Sequence, residues 1–163
     1  MSAIMNPYLS FRDQAAEALG FYQGIFGGDV ETTTFGEGGM AQDPAEAGKV
    51  MHGQLTSGAG FVLMASDTPA SMGVPSGSSI SLSLSGDEEP VLRGWWDALT
   101  ADGTVVLPLE VAPWGDQFGM CTDRYGIDWM VSIAQRGARP ERASRTRAAL
   151  IPAVRPSGRR AAR

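Results

Sequence analysis

Several features that many proteins use are scarce or missing in this 163-residue sequence. The chain has one cysteine, Cys121, so it cannot form an internal disulfide or a metal site built on several cysteines. Its apolar runs are all shorter than the roughly 18 residues that a transmembrane helix needs. The N-terminus lacks the basic stretch and apolar core of a secretory signal peptide. We therefore expect a cytoplasmic protein that does not enter a membrane.

Positive charge is also scarce, except at the C-terminus. Residues 1–135 contain four basic and 17 acidic side chains, a net charge of −13. Residues 136–163 contain nine arginines and one acid, Glu141, a net charge of +8. An acidic body is a poor partner for nucleic acid, because phosphate contacts need lysine and arginine. The arginine-rich segment has few large apolar residues and no aromatic ones, so we predict a disordered tail rather than a nucleic-acid-binding arm.

The clearest structural signal is a pair of apolar stretches, residues 117–122 and 127–133, joined by a turn that ends in glycine. A glycine there is typical of a β-hairpin, since glycine adopts positive φ without strain. The second stretch is apolar at nearly every position, which predicts a central strand buried on both faces. A sparser version of the same hairpin covers residues 50–66.

Periodicity predicts the remaining elements. Apolar residues at helical spacing follow Asp13, the predicted helix N-cap, and continue to a pair of glycines that ends the helix. A second amphipathic helix follows Ser85 or Asp87, with Trp95 directed inward and Trp96 toward a module or dimer contact. The other predicted strands are residues 4–11, 29–35, 79–85 and 104–111.

The order of these elements repeats along the chain. Shifted by 74 residues, Asp13 falls on Asp87; shifted by 66, residues 60–64 fall on 126–130. Each copy consists of a strand, a helix and three strands. One copy alone is too small to bury its sheet well, so the two halves should pack together around a shared cavity.

The predicted fold class is therefore α+β, with two tandem βαβββ modules whose mixed, curved sheets enclose a pocket. The modules are residues 1–67 and 79–135, and residues 68–78 form the linker between them. Together they make a single domain at residues 1–135, followed by the tail at 136–163.

Several motifs agree in order with a known family. They are Tyr8-Leu9-Ser10-Phe11, residues 18–22 and 26–28, Met51-His52, residues 64–67, 81–84, 114–120 and 123–126, and Trp129. By these motifs, residues 4–134 resemble the PhnB-like branch of the vicinal oxygen chelate superfamily, which includes glyoxalase I, extradiol dioxygenases and bleomycin-resistance proteins. The resemblance implies the glyoxalase/bleomycin-resistance fold and subunits or modules that pair edge to edge. The branch is sometimes labelled 3-demethylubiquinone methyltransferase-like, but no S-adenosylmethionine-binding glycine loop follows the first predicted strand.

Metal enzymes of this superfamily hold a divalent ion on the first and last strands of each module. The resemblance places these positions at Asn6 and Met64 in the first module and at Ile80 and Met130 in the second. Isoleucine cannot bind an ion, and a thioether is a poor ligand for Mg, Mn, Fe(II) or Zn. A shift of one or two residues brings in Ser66, Ser79, Ser81 and Ser132, which are no better ligands. We therefore expect no metal and no other cofactor.

A few polar and aromatic residues remain as candidates. His52, the single histidine, shares a predicted strand face with Gln54 and is either an acid–base group in the cavity or a satisfied histidine of the sheet. Glu110 either meets a cationic ligand beside an aromatic ring or is a strand-end charge in water. Trp114 and Trp129 either stack on a flat ligand or belong to the core. The predicted ligand-binding set is Asn6, His52, Gln54, Met64, Glu110, Trp114 and Met130.

Three functions stay open at this point. A metal-free protein that binds or sequesters a hydrophobic or cationic small molecule fits best, because Met64 and Met130 would line the cavity with adaptable apolar groups. A metal-dependent lyase, dioxygenase or thiol transferase would need ligands that the sequence does not supply. A metal-free enzyme would depend on His52 or Glu110. Cys121 has a single basic neighbour and is expected to be inert.

The division of charge and the expected sheet edges lead to the first testable prediction. Residues 1–135 form a homodimer that does not need the tail, because the tail offers too little apolar surface to stabilise the body. Deletion after Gln135 should leave the thermal midpoint and the elution volume almost unchanged. Any attraction between the +8 tail and the −13 body should disappear with added salt. A large loss of stability on deletion would contradict this prediction.

Overall fold

The structure is a computed structural model that describes residues 3–72 and 79–135. Its strands are β1 Tyr8–Phe11, β2 Asp29–Thr34, β3 Val50–Thr56, β4 Val62–Asp67, β5 Leu82–Gly86, β6 Thr104–Val111, β7 Gln117–Thr122 and β8 Asp128–Ile133. The helices are α1 Ala15–Phe26 and α2 Glu89–Thr100, and a 3₁₀ turn covers Pro44–Glu46. The predicted order of strand, helix and three strands occurs twice.

Each module forms one four-stranded mixed sheet. The strand orders are β1-β4-β3-β2 and β5-β8-β7-β6. In both sheets the first strand of the module runs parallel to the last, and the other neighbours are antiparallel. The predicted hairpin is present, with β7 paired to β8 from Gln117 opposite Ile133 to Thr122 opposite Asp128. The α+β class with two βαβββ modules is therefore confirmed.

One helix covers one face of each sheet, and a glycine in the third strand of each module makes room for it. A Cβ atom on Gly53 of β3 would collide with the Leu19 side chain of α1. A Cβ atom on Gly119 of β7 would lie 2.9 Å from the ring of Trp96 of α2. The two glycines are 66 residues apart, so they occupy the same position in the two copies of the repeat.

The helix-covered faces of both sheets meet in a single hydrophobic core. Tyr22 and Phe26 of α1 pack against Trp129 of β8, with ring centroids 5.8 and 5.6 Å apart. Phe26 also contacts Trp95 of α2 at 5.2 Å, edge to face. Aromatic contacts of this kind stabilise a core beyond the area they bury. The first module thus packs against the second through α1.

The two adjacent tryptophans of α2 are placed the opposite way from the prediction. Trp96 faces the sheet and is 8% exposed, whereas Trp95 is half-buried at the contact between modules. The prediction was wrong because Leu92, Trp96 and Leu99, at spacings of four and three, form the stripe that faces the sheet. Trp95 lies about 100° to one side of that stripe.

Helix α1 is capped from a distant part of the chain. Oδ1 of the buried Asp67, at the end of β4, accepts hydrogen bonds from the backbone N–H groups of Gln14 and Ala15, both at 2.9 Å. Asp13, the predicted cap, has a φ of 65° and forms an ion pair with Lys49 at 2.7 Å. The prediction was wrong because a carboxylate remote in sequence satisfies the free N–H groups of the first turn.

Asp123, at the turn between β7 and β8, joins the two modules. Its buried carboxylate accepts through Oδ1 from the backbone N–H groups of Tyr125 at 2.9 Å and Ile127 at 3.0 Å. Through Oδ2 it accepts from the Tyr22 hydroxyl at 2.7 Å and from the Trp129 indole N–H at 2.8 Å. Burial, and then the Asp123 charge, raise the pKa of Tyr22, so this hydroxyl remains a donor.

Other boundaries differ from the prediction for local reasons. Strand β1 begins at Tyr8 rather than residue 4, and β5 begins at Leu82 rather than residue 79, because the ladders to β4 and β8 begin only there. Helix α2 has Glu88 at its N-cap position, not Ser85 or Asp87. Strand β8 is not buried on both faces; its residues alternate between buried and half-buried, since a helix covers only one face.

Neither helix in the described ranges is long and apolar enough to cross a membrane. The predicted disordered tail at 136–163 and the linker residues 73–78 lie outside the described residues.

The Asp123 contacts lead to a prediction about stability. Tyr22→Phe should lower the free energy of unfolding by about 1–2 kcal/mol, because it removes one donor from a buried carboxylate. Asp123→Ala should cost at least about 3 kcal/mol, because it leaves several buried donors without an acceptor. Denaturant unfolding followed by tryptophan fluorescence measures both.

The matched control is Tyr125→Phe. Its hydroxyl also donates to a carboxylate, that of Glu17 at 2.9 Å, but this bond is exposed. The change should therefore cost less than about 0.5 kcal/mol. If the Tyr22 and Tyr125 variants lose the same free energy of unfolding, the buried hydrogen bond does not stabilise the fold more than the exposed one.

Candidate functional site

Each sheet has one face that no helix covers, and most predicted site residues lie on these two faces. Successive residues of a strand point to opposite sides, so the uncovered residues alternate with core residues. Open face 1 consists of Tyr8, Glu31, His52, Gln54, Met64 and Ser66. Open face 2 consists of Ser83, Glu110, Phe118, Met120, Met130 and Ser132.

Met64 is central on open face 1. The strand ladders place it between Tyr8 on β1 and Gln54 on β3, and its side chain is half-buried. The Tyr8 hydroxyl lies 3.3 Å from Nδ1 of His52, and both side chains are exposed. Asn6 precedes β1 and is half-buried. This face thus combines an apolar thioether with a phenol, an imidazole and an amide that can form directed hydrogen bonds.

Met130 occupies the corresponding place on open face 2. It lies between Ser83 on β5 and Met120 on β7, and it is half-buried. Phe118 is next along β7 on the same side and pairs with Ser132. The centre of this face is therefore soft and apolar, with hydroxyl groups at its edge.

Glu110 and Trp114 are both neighbours of Phe118 at one end of open face 2. Glu110 is the ladder partner of Phe118, and the Trp114 ring packs on the Phe118 ring with centroids 5.6 Å apart at 62°. Trp114 is 59% exposed, so most of its ring stays available for contact. Trp129, by contrast, is 2% exposed and belongs to the core.

The positions that the resemblance assigns to a metal ion carry poor ligands here. The structure places Tyr8 beside Met64 and Ser83 beside Met130, whereas Asn6 and Ile80 precede the strands. Each pair of first-strand and last-strand residues thus presents one thioether and one hydroxyl, which do not suit a hard or borderline divalent ion. Within residues 3–72 and 79–135, no three side chains of His, Cys, Asp or Glu come together as metal ligands.

Cys121 lies on the helix-covered side of β7 and is buried. Burial, and then the charges of Asp123 and Asp128, raise the pKa of its thiol to about 11. A thiol that stays protonated and out of reach of solvent is a poor nucleophile.

The seven predicted ligand-binding residues fall into two groups within one chain. Asn6, His52, Gln54 and Met64 lie on or beside open face 1, and Glu110, Trp114 and Met130 on or beside open face 2. The helix-covered sides of both sheets share one core, so the open faces are turned away from that core. A pocket enclosed by the two faces stays a prediction.

Sequence reasoning missed Tyr8, Ser83, Phe118 and Met120 as neighbours of the predicted residues. Phe118 and Met120 could have been found from the alternation of β7, since they share the side opposite Gly119 and Cys121. Tyr8 and Ser83 depend on the parallel pairing of β1 with β4 and of β5 with β8, which the pattern of a single strand does not contain.

Comparison with known proteins agrees with this architecture. The profile of the family described as 3-demethylubiquinone-9 3-methyltransferase matches residues 3–132. The crystal structure of protein PA1353 from Pseudomonas aeruginosa is 35% identical, with a TM-score of 0.72 over 83% of this chain and 100% of that one.

Two further solved structures are similar in fold. One, from Bacillus cereus, is a putative 3-demethylubiquinone-9 3-methyltransferase called PhnB protein; it is 24% identical, with a TM-score of 0.65 over 81% of this chain and 100% of that one. The other is a glyoxylase/bleomycin resistance protein/dioxygenase domain from Frankia sp., 15% identical, with a TM-score of 0.53 over 84% of this chain and 95% of that one. The chain therefore has the glyoxalase fold and belongs to the family described as 3-demethylubiquinone-9 3-methyltransferase.

Proposed function

We propose that the protein is a metal-free, small-molecule-binding member of its family, which holds a hydrophobic or cationic organic ligand on its open faces. The observation that carries the proposal is the pair Met64 and Met130, half-buried at the centres of the two faces. Thioether and aromatic groups there favour burial of apolar area, at roughly 25 cal/mol per Å². Asn6, His52 and Gln54 supply the few hydrogen bonds that would orient a ligand.

A second copy of the chain would complete such a site. Because the two open faces of one chain are turned away from a shared core, open face 1 of one copy can enclose a ligand against open face 2 of another. Exposed apolar residues support an interface between copies at the sheet edges. They are Ile4, Met5, Tyr8, Val105, Val106, Leu107 and Val111. A homodimer is therefore part of the proposal, and the cytoplasm remains its expected compartment.

The structure gives a reason to prefer binding over methyl transfer. A nucleotide-like cofactor is commonly held by a glycine-rich turn between a first strand and its helix. Here the connection from β1 to α1 is Arg12-Asp13-Gln14, without glycine. The backbone N–H groups of Gln14 and Ala15 at the start of α1 already donate to Asp67, so they are not available to a cofactor.

A metal-free enzyme is the second candidate, and one contact favours it. The Tyr8 hydroxyl and Nδ1 of His52 are 3.3 Å apart on the exposed side of open face 1. A phenol and an imidazole at this distance can pass a proton to or from a bound molecule. Glu110 lies on the other sheet, so it would act on a different part of the ligand.

The donor groups at the two centres predict the metal content of the protein. After expression in rich medium and dialysis without a chelator, elemental analysis should find far less than one equivalent of Ni, Zn, Mn or Fe per chain, because Met64, Met130, Tyr8 and Ser83 bind such ions poorly. One tightly held equivalent, lost on substitution of these residues, would overturn the proposal.

The apolar centre of open face 1 predicts the effect of adding a charge. For aromatic fragments found by ligand-observed NMR screening, Met64→Glu should weaken binding about tenfold or more, because it places a carboxylate in an apolar wall. The control is Met72→Glu, the same change at a residue that is 60% exposed and off both faces. It should leave affinity unchanged.

Two results would contradict binding at this face. One is a screen in which only metal-chelating or thiol-containing molecules bind. The other is a set of fragments whose affinity Met64→Glu leaves untouched. Circular dichroism of both variants separates lost binding from lost folding.

A further inference from the structure

The loop between β6 and β7 holds an exposed tryptophan in a defined place. Within it, the Ala112 N–H donates to the Asp116 carbonyl at 2.8 Å and the Gly115 N–H to the Ala112 carbonyl at 2.9 Å. Gly115 has a φ of 99°, a conformation that favours glycine, so the turn directly after Trp114 is tight. The loop thereby positions the Trp114 ring edge to face with Phe118, although Trp114 stays 59% exposed.

A carboxylate neighbours the second of these rings, that of Phe118. Glu110 is the ladder partner of Phe118, and its exposed side chain makes no hydrogen bond or ion pair with any residue in the described ranges. A second acid, Asp116, follows Trp114 in the same loop and accepts from the Gln135 backbone N–H at 3.3 Å. Negative charge and aromatic surface therefore occur together at this end of open face 2.

Positive charge from the body of the protein does not neutralise this end. The four basic side chains of the described ranges have partners elsewhere. They are Arg12 at the Met72 carbonyl, Lys49 at Asp13 and Glu46, Arg93 at Glu89 and Gln117, and Arg124 at Asp102. The described residues carry a net charge of −13, so the electrostatic field around the loop attracts cations.

An aromatic face next to a carboxylate is the chemistry that recognises organic cations. The ring face attracts the cation through its quadrupole, and the carboxylate adds a Coulomb term. We propose that Trp114, Phe118 and Glu110 form a subsite for the positively charged end of the ligand, an ammonium or a guanidinium group. The subsite rests on the proposed function, since it directs one end of a molecule whose apolar part lies along Phe118, Met120 and Met130.

The test compares choline with 3,3-dimethyl-1-butanol, which has the same shape without the charge. Both are titrated into the full-length protein and followed by NMR at the Trp114 indole N–H, identified by its absence in Trp114→Leu. Choline should bind about tenfold more tightly than the alcohol, as expected for one exposed cation–π contact and one exposed ion pair. Added salt should weaken choline binding but not alcohol binding.

Loss of the carboxylate should affect only the charged probe. Glu110→Gln, followed at the same indole N–H, should weaken choline about threefold and leave the alcohol unchanged. Trp114→Leu, followed on the choline methyl signal by ligand-observed NMR, should also weaken choline about threefold. The control Glu31→Gln removes an exposed carboxylate from open face 1 and should change neither probe. Equal affinity for the two probes, or an equal loss in the Glu31 and Glu110 variants, would overturn the subsite.

A third probe separates this subsite from the proposed function. Indole is flat, apolar and uncharged, so it reports on the open faces without the cation. In one outcome indole binds, Met64→Glu weakens indole binding, and choline binds no more tightly than the alcohol. The subsite is then wrong and the binding function stands. If the Trp114 resonance responds to no probe because a second copy covers this end, the subsite is also wrong. If neither indole nor choline binds, both proposals fail.

Discussion

The buried carboxylate of Asp123 is the contact on which the arrangement of the two modules depends. A charged group this deeply buried is stable only when hydrogen bonds replace its lost water. Two of its four donors close the turn before β8, and the other two are Tyr22 of the first module and Trp129 of the second. One side chain thus sets both the last hairpin and the orientation of α1 against the second sheet.

The two copies of the repeat have diverged around a common backbone plan. Ser57 stands where Asp123 stands in the second copy, and its hydroxyl oxygen accepts from the Phe61 N–H at 3.2 Å. The glycines that admit Leu19 and Trp96 remain at equivalent positions, because the helix needs that space in both copies. The backbone plan is therefore shared, whereas the buried polar contact between modules exists only once among the described residues.

The candidate site follows from the same geometry. Each open face carries a methionine between a hydroxyl-bearing residue of the first strand and a residue of the third strand. The two faces differ in character, since the first adds an imidazole and an amide and the second adds aromatic rings and Glu110. A ligand held between such faces in a dimer would have one end for hydrogen bonds and one for charge. The proposed site would therefore bind a ligand in one orientation.

The sequence by itself determined the elements and their order, because strand alternation, helical spacing and turn glycines are local properties. It also determined the core stripe of α1 and the acidic body. Tertiary structure decided that Asp67 rather than Asp13 caps α1, that Trp96 rather than Trp95 faces the sheet, and that Tyr8 and Ser83 flank the methionines. These outcomes depend on strand pairing and helix rotation, which join residues far apart in the chain. Local pattern does not contain that information.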